Sequence, residues 1–163
     1  MSPPSIPSAT TPVDVGVVDV YVVRPYRESW LVLVLQRSLT TRCPTAWETV
    51  HGRVEPGERP EDAALRELRE ETGLAAERLY NVTVQPFYLH SFGAVQMAVV
   101  FAVFVREPAS VILGPEHQQH AWLSVAEAAK RFVWPREREA LGHVVTLLGS
   151  GDAGPVEDVL RVV

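Results

Sequence analysis

The chain has 163 residues, a net charge of −5 at neutral pH, and is 47% hydrophobic and 21% charged. Its length suits one domain, and its composition is that of a globular protein, which excludes wholesale disorder. The acidic balance disfavours a nucleic-acid backbone or an anionic membrane as the main partner. A small anionic substrate is still compatible, because a bound divalent cation can reverse the local field. With one cysteine, Cys43, the chain forms no internal disulfide.

The two ends of the chain differ in composition from the part between them. Met1–Pro12 is rich in Ser, Thr and Pro, which predicts a tail, and it lacks the basic start and apolar core of a signal peptide. Gly149–Gly154 has the spacing of a dinucleotide-binding loop, but it follows a helix rather than a strand. We therefore expect one domain over 13–149, a C-terminal tail over 150–163 and a cytoplasmic location. No apolar run reaches the ~18 residues that a membrane-spanning helix needs.

In the first half of the chain, two apolar strands precede a helix. Val13–Val23 is dense in β-branched valine, and Trp30–Gln36 is almost wholly apolar, as in a strand buried on both faces. Pro60 suits the first position of a helix, which we expect to end at Thr72. Gly73 then supplies the left-handed residue that ends a helix.

The second half of the chain continues with strands and ends with helices. The further predicted elements are strands at Leu79–His90, Ala94–Val105, Ser110–Leu113 and Ala121–Leu123, a helix opening at the capping box of Ser124 and stopping near Arg131, and a helix over Pro135–Leu148. The charged run Arg136–Glu139 is interpreted as the start of an ordinary surface helix. Strands on both sides of one helix, with more helix at the end, predict a mixed α/β sandwich.

Three glutamates of the first predicted helix lie on one face. Glu67, Glu70 and Glu71 stand at i, i+3 and i+4, within an arc of roughly 100°. Carboxylates gathered at one point raise one another's pKa unless a cation neutralises them, and such oxygen ligands suit Mg²⁺ or Mn²⁺. Taken alone, a helix of this sequence is most often a solvated face stabilised by ion pairs such as Arg66 with Glu70.

The segment before the helix favours the metal-binding interpretation. The chain fits a 23-residue template, G-x5-E-x7-R-E-U-x-E-E-x-G-U with U apolar, and the matching residues are Gly52, Glu58, Arg66, Glu67, Leu68, Glu70, Glu71, Gly73 and Leu74. Average amino-acid usage gives a chance match on the order of one in a billion per starting position. This template is the signature of the Nudix hydrolases, and the sequence resembles that family at every specified position.

The resemblance implies both a fold and a reaction. The fold is an α/β (α+β) fold, an α/β/α sandwich with a mixed β-sheet. The reaction is hydrolysis of a phosphoanhydride in a nucleoside diphosphate derivative, with Mg²⁺ or Mn²⁺ held by Glu67, Glu70 and Glu71. The water that attacks phosphorus gives its proton to a carboxylate, which is either a glutamate of the template or Glu116 in a later loop. A homodimer is expected by family habit alone.

The other two charged residues of the template have supporting positions. Glu58, at the helix entrance, either joins the metal site or braces Arg66. Arg66 lies between the acidic residues and can fork onto one of them, which would orient catalytic carboxylates rather than contact the substrate.

Residues around the template are candidates for substrate binding. Gly52 allows a close approach of the backbone to a ligand or to the helix. His51 stands where many family members have a glycine, and either contacts phosphate or hydrogen-bonds to a neighbouring strand. Arg37 and Arg53 are the better placed arginines for terminal phosphates. The aromatic candidates for stacking on a base or a pterin ring are Trp47, Tyr88, His90 and Phe92, although the more common role of such a residue is to pack in the core.

The substrate is less well determined than the reaction. The segment from Trp47 to Glu58 and the C-terminal layout are similar to those of dihydroneopterin triphosphate pyrophosphohydrolases and of diadenosine tetraphosphate hydrolases. We favour a pterin or nucleoside triphosphate over a dinucleoside polyphosphate or a nucleotide sugar. A module that senses nucleotides without cleaving them is the alternative from another class, although the three metal-binding glutamates are intact.

Overall fold

The computed structural model describes residues 10–106 and 110–163. The strands within this part of the chain are β1 (Val13–Tyr26), β2 (Ser29–Arg37), β3 (Trp47–Glu48), β4 (Val50–Arg53), β5 (Arg78–Leu89), β6 (Ala94–Phe104) and β7 (His117–Ser124). The helices are α1 (Pro60–Thr72), α2 (Val125–Arg131), α3 (Pro135–Leu148) and α4 (Glu157–Leu160), with a 3₁₀ turn at Gly154–Val156.

The strands form one mixed sheet. Its main path runs β3-β2-β1-β6-β5, while β4 pairs with β1 and β7 pairs with β2. β1 and β6 are parallel, and the other pairs are antiparallel. The predicted mixed sheet is therefore confirmed.

Alternation along β1 separates two apolar layers. Val18, Val20 and Val22 pack in the core cluster that contains the buried residues of α1. Tyr21 and Val23 pack in the other cluster, with the apolar residues of α2 and α3. Because successive side chains of a strand point to opposite faces, the helices cover both sides of the sheet. The α/β/α sandwich is confirmed, and β1 is its central element.

The helix that carries the template begins and ends where the sequence predicts. Pro60 occupies the first turn, and Gly73 caps the helix with φ 71° in the left-handed region. Leu68 on its inner face is buried against the sheet. The capping box of Ser124 and the span Pro135–Leu148 are also confirmed.

The predicted strand Ser110–Leu113 is wrong. This segment instead binds the C-terminal end of α1, where the Ile112 amide donates to the Thr72 carbonyl at 2.8 Å and the Gly114 amide to that of Glu71 at 3.2 Å. The last carbonyls of a helix have no partner within the helix, and here the following loop supplies the donors. A Cβ on Gly114 would lie 2.7 Å from the Glu70 carbonyl oxygen, so the contact requires a glycine.

The expectation of a tail over 150–163 is also wrong. This segment forms the 3₁₀ turn and α4, and the Val162 amide donates to the Leu79 carbonyl at 2.8 Å. The Tyr80 hydroxyl donates to Glu157 at 2.9 Å, which ties α4 to β5. The N-terminal tail predicted over 1–12 falls mostly on residues 1–9, which lie outside the described residues.

None of the helices in the described part of the chain is long and apolar enough to cross a lipid bilayer. The cytoplasmic location stays a prediction.

The contact between α1 and the sheet gives a test of the packing. Leu68 is 1% exposed, so Leu68→Ala should lower the free energy of unfolding by about 2–5 kcal/mol. Leu39 is 70% exposed, and Leu39→Ala is the matched control with little expected effect. Urea unfolding measures both. Equal losses in the two variants would show that α1 does not bury Leu68.

Candidate active site

A cavity of about 740 Å³ opens beside the N-terminal half of β1, between β4, the β5–β6 hairpin and the start of α3. Six of the residues predicted for the site line it, namely Arg37, His51, Gly52, Arg53, Glu67 and Glu116. The fold brings these residues together from four separate parts of the sequence: β2, β4, α1 and the loop before β7. Glu58, Arg66, Glu70 and Glu71 are not among its lining residues.

Gly52 allows α1 to approach β4 closely. A Cβ at this position would lie 2.0 Å from the carboxyl carbon of Glu67 and 2.1 Å from its Oε1. Any side chain here would displace the Glu67 carboxylate. A glycine is therefore required here by the close approach of α1. It is not required by the backbone conformation, since Gly52 is not among the glycines with positive φ.

Arg66 organises the acidic face of α1. Its Nε and Nη2 donate to the two carboxylate oxygens of Glu58 at 2.9 and 3.0 Å. Its Nη1 donates to Glu67 at 2.7 Å and to Glu70 at 3.3 Å, and Nη2 also donates to the Arg53 carbonyl at 2.8 Å. The hydrogen bond from Arg66 lowers the pKa of Glu58. In this arrangement Glu58 braces Arg66, which in turn orients the other two carboxylates.

Glu71 is a buried carboxylate that lacks a full set of partners. Its side chain lies in the interior, and its Oε2 has no hydrogen-bond partner among the described residues. Burial, and then the negative charges of Glu48, Glu67 and Glu116, raise its pKa well above the usual value. Glu71 thus interacts electrostatically with three other acidic side chains, and one of its buried oxygens is unsatisfied.

Glu48 is a member of this group that the sequence did not single out. Arg37 Nη1 donates to its Oε1 at 2.7 Å, and His117 Nε2 lies 3.0 Å from the same oxygen. Although burial raises the pKa of Glu48, the hydrogen bond with His117 and the charge of Arg37 lower it below the usual value. An acidic residue in a short buried strand was the available signal, because such a charge requires a partner.

A second buried acid, Asp19, lies on the α3 side of β1. Its Oδ1 is 2.5 Å from Nδ1 of His51, and its Oδ2 accepts a hydrogen bond from Nη1 of Arg136. Burial raises its pKa, but His51 and Arg136 lower it below the usual value. His51 therefore bonds to the neighbouring strand, and its ring also lines the cavity. Sequence reasoning missed Asp19 and Arg136, although an acid within an apolar strand was a signal.

The cavity also has an aromatic wall. Phe87, Tyr88, Phe92 and Trp134 line it, whereas Trp47 and His90 do not. The guanidinium of Arg53 lies 5.4 Å from the centre of the Phe92 ring. Of the predicted stacking residues, Tyr88 and Phe92 are therefore the ones placed to contact a planar ring.

The donor set of the acidic group fits a hard divalent cation. Among the described residues no three His, Cys, Asp or Glu side chains converge as ready metal ligands, and Arg66 holds Glu67 and Glu70 in ion pairs. The unsatisfied Oε2 of Glu71, whose pKa the neighbouring acidic side chains raise, is nevertheless an arrangement that a bound cation stabilises. Carboxylate oxygens are the ligands that Mg²⁺ prefers.

Comparison with known proteins identifies the family. The sequence model of the NUDIX domain matches residues 13–144. The chain belongs to the Nudix hydrolase family. This Nudix chain is similar in structure to an Ap4A hydrolase of C. elegans, with a TM-score of 0.71, 23% identity, and coverage of 82% of this chain and 97% of the other. At that identity the likeness shows the shared fold.

Two curated relatives match part of the Nudix chain. An octanoyltransferase of Myxococcus xanthus is 38% identical over 102 residues, which are 58% of this chain and 27% of that protein. An RNA pyrophosphohydrolase of Cereibacter sphaeroides is 51% identical over 41 residues, a quarter of each chain (25%). The match thus spans about a quarter of the length of either relative.

The raised pKa of Glu71 makes the free energy of unfolding depend on pH. Because its folded pKa is raised, its contribution to stability is complete below its unfolded pKa of about 4.5 and is lost as pH rises through the folded value. In metal-free buffer at pH 8, Glu71→Gln should therefore increase stability by about 1–3 kcal/mol. Mg²⁺ should raise the Tm of the unsubstituted protein and not that of the variant.

Thermal unfolding with and without Mg²⁺, at pH 5 and pH 8, measures this effect. Glu139→Gln is the control, because Glu139 is exposed on α3 and is not one of the acidic residues that raise the pKa of Glu71. A lower Tm for Glu71→Gln at pH 8 without metal, together with an unchanged Mg²⁺ response, would contradict the account.

Proposed function

We propose that this Nudix chain is a metal-dependent pyrophosphohydrolase that cleaves a phosphoanhydride of a nucleotide or nucleotide-like compound. The observation that carries the proposal is the buried Glu71 carboxyl group, whose Oε2 is unsatisfied and whose pKa is raised by burial and by the charges of Glu48, Glu67 and Glu116. The adjoining cavity is lined by arginines as well as by carboxylates. Such a site suits a cation and a phosphate chain bound together.

Glu67, Glu70 and Glu71 would hold the cation, Mg²⁺ or Mn²⁺. When bound, that ion supplies neutralisation of phosphate charge and a water of lowered pKa. Glu58 is the fourth candidate ligand from the sequence, but its two oxygens both accept from Arg66. We therefore assign it to the support of Arg66 rather than to the metal.

Arg66 acts as a positioning residue in this proposal. It fixes the Glu67 carboxylate at 2.7 Å and reaches Glu70 at 3.3 Å, so both are held near one end of the cavity before a ligand enters. The bond to the Arg53 carbonyl ties the same side chain to β4. A side chain with every arm engaged in this way orients others and has no donor left for the substrate.

Glu116 is our proposed general base, with Glu70 as the alternative. Glu116 is exposed within the cavity, and its Oε2 is 3.9 Å from Nη1 of Arg37, too long for a hydrogen bond. It is thus free to accept a proton at that oxygen. Glu70 lies outside the cavity lining and is already paired with Arg66.

The proposed substrate-binding residues differ in how many of their donors are already engaged by other protein groups. Arg37 is engaged with Glu48 at 2.7 Å and with the Arg42 carbonyl at 2.6 Å, so it contributes mainly a fixed positive charge. Arg53 stacks on Phe92 and is placed to reach phosphate oxygens. His51 and Gly52 complete the wall beside Glu67.

The proposed substrate class is a small phosphorylated compound. A cavity of about 740 Å³ with an aromatic wall accommodates one nucleotide or pterin. We favour a pterin or nucleoside triphosphate, with a dinucleoside polyphosphate or nucleotide sugar as the alternative. A long RNA is disfavoured, because the chain carries a net charge of −5. A homodimer stays a prediction.

Release of pyrophosphate or phosphate from a panel of these compounds, in Mg²⁺ and in excess EDTA, tests the proposal. We expect turnover in Mg²⁺ alone. A nucleotide-sensing module would instead bind a compound of the panel and release nothing, which would contradict the proposed activity.

Two substitutions separate the candidates for the base. Removing a general base lowers kcat by roughly 10²–10⁴-fold. We expect Glu116→Gln to do so with Mg²⁺ affinity retained, whereas Glu70→Gln should weaken Mg²⁺ binding as well as turnover. Glu139→Gln is the exposed control. Full kcat in Glu116→Gln would remove Glu116 from the chemistry and leave Glu70 as the base.

A further inference from the structure

Arg136 lies where a helix disfavours a positive charge. It occupies the first turn of α3, at the positive end of the helix dipole. Its side chain is only 14% exposed, so it is not simply a solvated surface group. Other interactions must hold it in place, and they come from outside its own helix.

Two contacts fix the guanidinium group. Nη1 donates to Oδ2 of Asp19, which is fully buried in β1. The guanidinium carbon also lies 4.4 Å from the centre of the Phe87 ring, which gives a cation–π contact from β5. Burial lowers the pKa of Arg136, but the charges of Asp19 and Glu137 raise it above the usual value. The side chain is therefore a cation with a preset orientation.

The next residue anchors the start of α3. Glu137 is buried, and its Oε1 accepts a hydrogen bond from the Thr49 amide at 3.0 Å. This contact joins the first turn of α3 to the segment between β3 and β4. Arg136 is thus supported through the helix backbone as well as through its own side chain.

The remaining donors of Arg136 are available to a ligand. Its side chain lines the 740 Å³ cavity, and neither Nε nor Nη2 makes a hydrogen bond within the described part of the chain. No ion pair joins it to Glu67, Glu70 or Glu71 among those residues, and its charged partner is Asp19. It is therefore a further cationic point of the cavity besides Arg37, Arg42 and Arg53, and it forms no ion pair with the proposed metal ligands.

We infer that Arg136 binds a phosphate group of the substrate other than those joined by the bond that is cleaved. A fixed, planar guanidinium whose Nε and Nη2 are both free to donate matches the geometry of phosphate oxygens. Arg136 then selects compounds with three or more phosphates over nucleoside diphosphate sugars. This inference rests on the proposed function and narrows its substrate class.

Arg136→Gln tests the selection in turnover assays. A contact remote from the reacting bond stabilises the ground state and the transition state equally, so its loss raises KM more than it lowers kcat. We expect the kcat/KM ratio of a nucleoside triphosphate to a nucleoside diphosphate sugar to fall about 10- to 100-fold. Arg131→Gln is the control, because Arg131 stacks on Trp47 at 4.8 Å outside the cavity lining. An equal loss for both substrates, or an unchanged ratio, would overturn the inference.

Binding assays separate this inference from the proposed activity. The Kd values of an imido triphosphate and of a methylene diphosphate sugar analogue, measured calorimetrically in Mg²⁺, require no turnover. We expect the unsubstituted protein to prefer the triphosphate and Arg136→Gln to lose that preference. If this holds without any turnover, Arg136 still binds the additional phosphate group, and the proposed activity is what fails. If turnover occurs and the preference survives the substitution, the inference fails alone.

A second variant tests the inference if Arg136→Gln does not fold. Where the Tm shows that Arg136→Gln is unfolded, Arg136→Lys keeps the charge but lacks the planar fork. We expect it to lose several-fold of the preference for the triphosphate, and full retention would overturn the inference.

Discussion

The site depends on the repulsion between carboxyl groups that the fold brings together around Glu71. Burial and three neighbouring acids raise the pKa of this group, and its Oε2 has no partner within the described residues. Its neighbours are compensated: Glu67 by Arg66, and Glu48 by Arg37. The uncompensated carboxyl group is thus that of Glu71, which interacts electrostatically with the cavity-lining Glu67. A divalent cation is the ligand that this charge distribution favours.

The central strand connects this acidic group to the rest of the cavity. One face of β1 packs on α1 through valines, which places the template helix against the sheet. The other face carries Asp19 towards α3, where it binds Arg136 and His51. His51 pairs with Asp19 in the register of β1 and β4, next to Gly52. One strand therefore positions both the proposed metal-binding side and the cationic side of the cavity.

Local patterns made the fold and the helical part of the site predictable from sequence. Pro60, Gly73 and the spacing of the glutamates each act within a few residues, and the helix has the predicted bounds. The residues that sequence reasoning missed act over long separations: Asp19 and Arg136 are 117 residues apart, and Glu48 and His117 are 69 apart. No local pattern records such a contact.

The two wrong elements have the same cause. The segment 110–113 is apolar enough for a strand, but its amides bind the end of α1, and the segment 150–163 is held by hydrogen bonds to β5. In both cases a tertiary contact determined the conformation. The Nudix template itself was informative because it specifies a site whose parts are close in sequence.

Diffraction from crystals soaked in Mn²⁺ with an imido triphosphate tests whether these carboxylates bind a cation beside the substrate. We expect an anomalous peak between the carboxylates of Glu67, Glu70 and Glu71, with the phosphate chain in the cavity next to it. Manganese bound elsewhere, with those three carboxylates pointing apart and the nucleotide outside the cavity, would contradict it.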